Sequence, residues 1–368
     1  MIIRSKAPLR LGLAGGGTDV SPYSDKYGGA ILNATINLFA YASIEPRADG
    51  KIVLNAICQN KTEELNSERE IIINGDLDLL KGVYNRIVRT FTKKELSFTL
   101  TTYVDAPAGS GLGTSSTLVV AILGAFVEWL NLPLGEYEIA HLAYEIERID
   151  LGMAGGKQDQ YAAAFGGFNY MEFYEEDKVI VNPLRIKSNY VNELESTLLL
   201  YYLGTSRLSS KIIEAQVKNV EVKNTKSVEA THQLKKQSVL MKESILTGNI
   251  YNIGKLLDCG WQSKKEMAKG ISNPMIDEIY EAALKAGASG GKISGAGGGG
   301  FMIFYCPDNK KYNVEQALYK LGGEVRKYQF TNHGLITWRI NNGNKNTPYL
   351  IYSIFITPSN SFIFFKNI

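Results

Sequence analysis

The stretch Pro107-Ala-Gly-Ser-Gly-Leu-Gly-Thr-Ser-Ser-Thr117 sets the terms for the whole chain. A run of alternating polar and apolar residues, 97–104, leads into it and reads as a half-buried strand. Leu118, Ile122, Phe126 and Trp129 leave it at helical spacing. Between strand and helix stand glycines 109, 111 and 113, then hydroxyls at 114–116. Glycine lets backbone come close to a ligand. A helix start adds free N–H groups and partial positive charge. That combination cradles phosphate, and its hydroxyls can ligate Mg²⁺. The competing reading is a plain glycine turn with a Ser/Thr N-cap. A P-loop would need GxxxxGK[ST], and this loop holds no lysine. The glycine spacing also fails the dinucleotide fingerprint GxGxxG.

Length and charge narrow the class. The chain has 368 residues, enough for two domains with a sizeable core. A net charge of +3 gives no argument for nucleic acid or an anionic membrane surface. No apolar run spans a bilayer. The start, Met1 to Pro8, lacks a signal-peptide core, so a cytoplasmic chain is expected. Cys58, Cys259 and Cys306 are too sparse for a disulfide framework, and His141, His232 and His333 suggest no zinc site.

Other stretches carry chemistry. Ile2–Lys6 reads as a strand, followed by Ala7-Pro-Leu-Arg10 and the loop Ala14-Gly-Gly-Gly-Thr-Asp19. The Asp19 carboxylate suits paired sugar hydroxyls, although a turn capped by Asp is the plain alternative. Pro133–Asp150 reads as a helix with Glu147 at the edge of its apolar stripe. A second glycine loop follows, Gly155-Gly-Lys-Gln-Asp-Gln160. Residues 209–269 read as helical and lack proline. Pro274–Ala286 reads as a helix stopped by Gly287. Lys292-Ile-Ser-Gly-Ala-Gly-Gly-Gly-Gly300 then opens a buried strand, Phe301–Tyr305. Four adjacent glycines there point to backbone that must approach a ligand. A helix near 314–321 and strands at 324–330 and 334–340 complete a β-α-β-β ending. Residues 341–368, polar and then β-prone, read as an atypical and dispensable tail.

Together the loop at 107–116, the APxR start with Thr18-Asp19, the Glu147 to Asp159 interval with Asp-Gln, and the 292–300 run resemble the GHMP kinase superfamily over residues 1–340. The resemblance implies an α+β fold of two domains. Residues 1–185 would form a ribosomal protein S5 domain 2-like ATP-binding half, and 186–340 a ferredoxin-like half. It implies ATP held by Pro107, Gly109, Ser110, Gly111, Leu112, Gly113, Thr114, Ser115 and Ser116, and Mg²⁺ held by Ser115 and Glu147. Asp159 would be the base and Arg10 the stabiliser of the transferring group. Gly17, Thr18, Asp19, Gly156, Lys157, Gln160, Gly297 and Gly298 would line the sugar site. Within the superfamily the motifs look most like the bacterial D-glycero-D-manno-heptose 7-phosphate kinases. That likeness implies phosphorylation of the anomeric hydroxyl, feeding GDP-heptose for surface polysaccharide. The partners implied are a sugar phosphate and ATP, with a homodimer left open. The substrate's own phosphate would need a cation, from among Arg207, Lys211, Lys264, Lys265 and Lys157. A fucose- or galactose-type C1 kinase is the alternative. A non-catalytic sugar/ATP sensor is the alternative of another class, and the retention of both Glu147 and Asp159 weighs against it.

Overall fold

A computed structural model describes residues 1–205 and 210–341, so Arg207 and the tail from 342 onward lie outside the described residues. The first half of the chain runs β1 (Ile2–Ala14), α1 (Tyr23–Tyr27), β2 (Gly29–Pro46), β3 (Lys51–Ala56), β4 (Lys61–Asn66), α2 (Asp78–Ile87) and β5 (Phe98–Val104). It continues through α3 (Thr114–Leu130), α4 (Glu136–Glu145), α5 (Gln158–Phe165), β6 (Phe168–Phe173), β7 (Val179–Pro183) and α6 (Ser188–Thr197). The second half runs β8 (Leu198–Tyr202), α7 (Ser210–Glu221), α8 (Thr225–Thr247), α9 (Asn252–Met267), α10 (Pro274–Ala286), β9 (Gly290–Ile293), β10 (Phe301–Tyr305), α11 (Lys311–Tyr319), β11 (Glu324–Val325) and β12 (Ile336–Ile340).

The first sheet has the order β12-β1-β2-β5-β3-β4, and the early half of β2 also pairs with the β6–β7 hairpin. Among the described residues β3 and β5 form its one parallel pair. The second sheet has the order β11-β8-β10-β9, antiparallel throughout. Its chain order is β-α-β-β-α-β, which is the ferredoxin-like arrangement. The molecule therefore has the two-domain, mixed α/β architecture expected of the GHMP fold.

β1 runs eight residues past the expected Ile2–Lys6, straight through Pro8. Proline lacks the N–H a ladder needs. Its partner Phe39 instead bonds Asp105 through both N–H and carbonyl. The register then shifts, and Arg10 comes to stand opposite Thr35. Such irregularities re-aim a side chain, and here the side chain is Arg10. Alternation along β1 puts Leu9, Leu11 and Leu13 into a core shared with Leu200, Ile253, Leu257 and Ile303 of the second half. The two halves thus share one apolar joint, and the cleft at that joint has fixed walls.

Two features depart from the sequence expectations. The segment after β10 gives only a two-residue strand at 324–325, and Ile336–Ile340 returns to pair with β1 of the first sheet. Residues 188–197, rich in Asn, Ser and Glu, form α6, which pattern reading did not anticipate.

Candidate active site

The loop of residues 107–113 joins β5 to α3 as expected, and Gly113 precedes the helix in a left-handed conformation, φ 78°. α3 begins with Thr114, Ser115 and Ser116; their N–H groups have no carbonyl a turn earlier, so they are free at the helix start. Gly109, Gly111, Gly113 and all three hydroxyl residues line an open cleft. Pro107, Ser110 and Leu112 form the frame instead. Leu112 is fully buried in the shared core, and the Ser110 carbonyl accepts from Phe301 N at 2.9 Å. The loop is held hard against the 292–300 run. A Cβ on Gly111 would sit 2.2 Å from the Ser294 carbonyl, and one on Gly300 would sit 2.3 Å from the Ser110 carbonyl. Those two positions must be glycine because the two backbones touch.

Arg10 and Asp159 meet at the mouth of this loop. Arg10 Nε and Nη2 donate to Asp159 Oδ1 at 2.8 and 2.7 Å, and Gln158 Nε2 donates to the same oxygen at 3.0 Å. Arg10 Nη1 also reaches the Gly111 carbonyl. Asp159 is a quarter exposed and lines the cleft; its Oδ2 accepts no hydrogen bond among the described residues. One carboxylate oxygen is therefore fixed, and the other is available.

Glu147 lies at zero exposure, although the sequence put it at a stripe edge. The reason is local. After α4 the helix widens into a five-residue π turn, Ile146–Asp150, which rotates Glu147 inward. Ser115 Oγ donates to Glu147 Oε1 at 3.2 Å, and Gln160 Nε2 donates to Oε2 at 2.6 Å and to Ser116 Oγ at 3.2 Å. The pair expected to hold Mg²⁺ is thus brought together. Octahedral Mg²⁺ with bonds of about 2.1 Å sets neighbouring oxygens about 3 Å apart, so the spacing fits. No cluster of three or more His, Cys, Asp or Glu able to hold a metal occurs among the described residues; an Mg²⁺ held by Ser115 and Glu147 would complete its shell with phosphate and water oxygens.

The opposite wall is built from both halves of the chain. Asp19 Oδ2 accepts from Gln158 N at 3.0 Å, and Gly156 lies so close that a Cβ would overlap that carboxylate. Gly17, Asp19, Gly156 and Gly297 line the cleft; Gly298 sits behind it, its N–H on the Ile271 carbonyl at 2.8 Å. Thr18 turns away: its hydroxyl donates to the carbonyl of Ala30 and accepts from its N–H, both at 3.0 Å. Lys157 also turns away. It is buried against Asp177 at 2.7 Å and lines a neighbouring groove. Gln160 serves Glu147 and Ser116. Among the other cation candidates, Lys211 is exposed and Lys265 packs over the Trp261 ring, while Lys264 lines the cleft.

Sequence reading did not single out several residues of this cleft, Gln158, Arg148, Lys292 and Gln216 among them. Arg148 follows Glu147, and its guanidinium is wrapped by the 153–156 loop. Lys292 donates to the Gly12 carbonyl at 2.6 Å. Gln216, on α7, is 4% exposed. A signal for Lys264 was present. It stands on the buried stripe of α9 with Leu257, Gly260, Trp261 and Met267, and a lysine on an apolar stripe calls for explanation.

Comparison with known proteins gives the family. The GHMP kinases N terminal domain matches residues 78–167, and the GHMP kinases C terminal domain matches residues 241–324. The D-glycero-alpha-D-manno-heptose 7-phosphate kinase of Campylobacter jejuni is 51% identical over 338 residues, covering 92% of this chain and 99% of that one. The crystal structure of a D-glycero-D-manno-heptose 1-phosphate kinase from Bacteroides thetaiotaomicron superposes with a TM-score of 0.79 at 49% identity, covering 92% and 99% of the two chains. The L-fucokinase/L-fucose-1-P guanylyltransferase of Bacteroides fragilis is 27% identical over 83% of this chain and 35% of its own length. No helix among the described residues is long and apolar enough to cross a membrane. The two family domains, with a match along nearly the whole length of both heptose phosphate kinases, place the chain in the GHMP kinases, a family of ATP-dependent kinases.

Proposed function

We propose that the chain transfers the γ-phosphoryl group of ATP to the C1 hydroxyl of D-glycero-D-manno-heptose 7-phosphate, giving the 1,7-bisphosphate that supplies GDP-heptose for surface polysaccharide. The observation that carries this reading is the Arg10–Asp159 pair, set between the phosphate loop and Asp19 in one cleft. The 51% identity to a kinase of that name supports the choice of sugar. Phosphoryl transfer asks the protein for positioning and charge compensation more than for covalent chemistry.

Each requirement has a residue. The free N–H groups and hydroxyls of 114–116, with Gly109, Gly111 and Gly113, receive the nucleotide phosphates. Ser115 and Glu147 would hold Mg²⁺, which would supply charge compensation to the nucleotide phosphates. Asp19 accepts sugar hydroxyls beside Gly17, Gly156 and Gly297, which line the cleft, while Thr18 pins that loop and Gly298 backs it. Asp159 Oδ2 accepts, or orients, the proton of the C1 hydroxyl. As the new O–P bond forms and the bond to the β-phosphate oxygen breaks, Arg10 offsets the charge on the moving group. Gln160 keeps Glu147 and Ser116 in place, and Lys157 locks the second glycine loop from behind.

A coupled ADP-release assay tests the reading across heptose 7-phosphate, heptose 1-phosphate, mannose, fucose and galactose. Heptose 7-phosphate is expected to give the highest kcat/KM. Kinases acting on either heptose monophosphate can give the same bisphosphate, so each must be supplied separately. A higher kcat/KM on fucose or galactose would replace the heptose reading with the C1 kinase alternative.

A further inference from the structure

Of the five buried cations among the described residues, three are answered by an acid and two, Lys264 and Lys292, are not. Arg10 pairs with Asp159, Lys157 with Asp177, and Lys81 with Glu63. Lys264 is different. It is 4% exposed and lines the cleft, yet its Nζ meets only the Gly16 carbonyl, at 2.8 Å. Among the described residues no carboxylate forms an ion pair with it. One of its three N–H donors is used. An ammonium group buried with so little compensation is costly, and burial lowers it to about 8, with Arg10 adding to the fall and Asp19 opposing it.

A second unanswered group stands beside it. Gln216, also 4% exposed and lining the cleft, has an amide nitrogen with no hydrogen-bond partner among the described residues. The two side chains converge on one spot. A Cβ placed on Gly17 would lie 2.9 Å from Met267 Cε, 3.1 Å from Lys264 Nζ and 3.4 Å from Gln216 Oε1, and a half-turn of the Gln216 amide brings its unpartnered nitrogen to the same corner. Only the missing side chain of Gly17 leaves this corner open. Unused N–H donors, a buried positive charge and a glycine floor are what a phosphate dianion needs. The nucleotide phosphates have their own loop elsewhere in the cleft, at Gly109–Ser116.

We propose that Lys264 and Gln216 form the subsite for the phosphate carried by the sugar itself, beside Gly17, and so set the preference for a phosphorylated over a free sugar. This rests on the reading that the acceptor is a sugar 7-phosphate. A phosphate remote from the reacting hydroxyl is held equally in ground and transition states, so its loss shows in KM and not in kcat.

The test uses the full chain with Lys264→Met and Gln216→Leu, assayed on heptose 7-phosphate, free heptose and ATP. Losing a charge-assisted hydrogen bond should raise KM for the 7-phosphate about 10- to 100-fold in K264M, and less in Q216L. Turnover, KM for ATP and kcat/KM for free heptose should stay within about twofold of wild type. Equal losses on both sugars would show that Lys264 only steadies the Gly16 loop, and a shifted KM for ATP would assign the site to the nucleotide. Either result overturns the subsite. If K264M does not fold, Q216L carries the same expectation. A wild-type enzyme with no preference for the 7-phosphate sinks the functional reading itself, whereas wild-type preference retained in both variants sinks the subsite alone.

Discussion

On the first-sheet wall of the cleft, each charged group meets a protein partner: Arg10 holds Asp159, Ser115 and Gln160 hold Glu147, and Gln158 N–H holds Asp19. On the wall from the second half, Lys292 and Lys264 rest on the carbonyls of Gly12, near the end of β1, and Gly16, just beyond it, and on no acid among the described residues. The difference separates two tasks. On the proposed roles, the groups that would act on the moving phosphoryl are fixed in advance, because reorganisation at the moment of reaction would raise the barrier. Cations that answer ligand charge are left to be completed by the ligand. The first arrangement favours rate, and the second favours selectivity for anions.

The strongest way to break the contrast is to give the first wall an unanswered charge. Asp159→Asn does so, leaving Arg10 without its acid. ATP binding should survive, since the loop at 109–116 is untouched, but turnover should fall on the order of 10²–10⁴-fold. Single-turnover measurement checks this; a near wild-type rate would remove Asp159 from the chemistry. A smaller break is Glu147→Gln. Its shape keeps the Gln160 and Ser115 contacts within reach, while the anionic ligand is lost. The Mg²⁺ concentration giving half-maximal rate should rise about 10- to 100-fold, as for disturbed metal sites generally. If it does not move, Glu147 is only an anchor for Gln160.

Legibility in the sequence follows the same divide. The phosphate loop and the 292–300 run were readable because glycines in contact with other backbone leave no choice of residue: Gly111 and Gly300 would each collide with a carbonyl. In the second half the strand at 301–305 and the helices within 209–269, 274–286 and 314–321 were readable from pattern, whereas the ferredoxin-like arrangement came only from the resemblance, and neither the four-residue β9 nor the chain's end was readable. There β12 leaves for the first sheet, and no local pattern reports which sheet a five-residue strand will join. The depth of Glu147 was not readable either, since a π turn breaks the 100° step on which stripe reading depends. Lys157 and Lys264 looked equivalent as sequence. Only the fold shows that Asp177 claims the first and that no acid claims the second.

The gentlest test of the contrast needs no substrate. Burial lowers Lys264 to about 8, as above, and Lys292 to about 7; for Lys292 the charges of Lys264 and Arg10 add to the burial, while for Lys264 Arg10 adds and Asp19 opposes. In the unfolded chain both lysines keep their protons up to the ordinary value of 10.5. Between those limits the unfolded state binds more protons than the folded one, so the stability of the ligand-free protein should rise as pH rises. The slope is at most about 1.4 kcal/mol per pH unit for each lysine. The useful window is about pH 7 to 8.5, because burial also raises the Cys306 thiol to about 12, which works in the opposite direction once an unfolded thiol begins to ionise. Thermal unfolding in a phosphate-free buffer, wild type against the double variant Lys264→Met/Lys292→Met, isolates the two groups. The wild type should gain stability across the window relative to the variant. The sugar phosphate should flatten that gain, because an anion that answers Lys264 restores its proton. Parallel curves without ligand would mean that both ammonium groups stay charged in the fold, and that this wall is as well compensated as the one facing it.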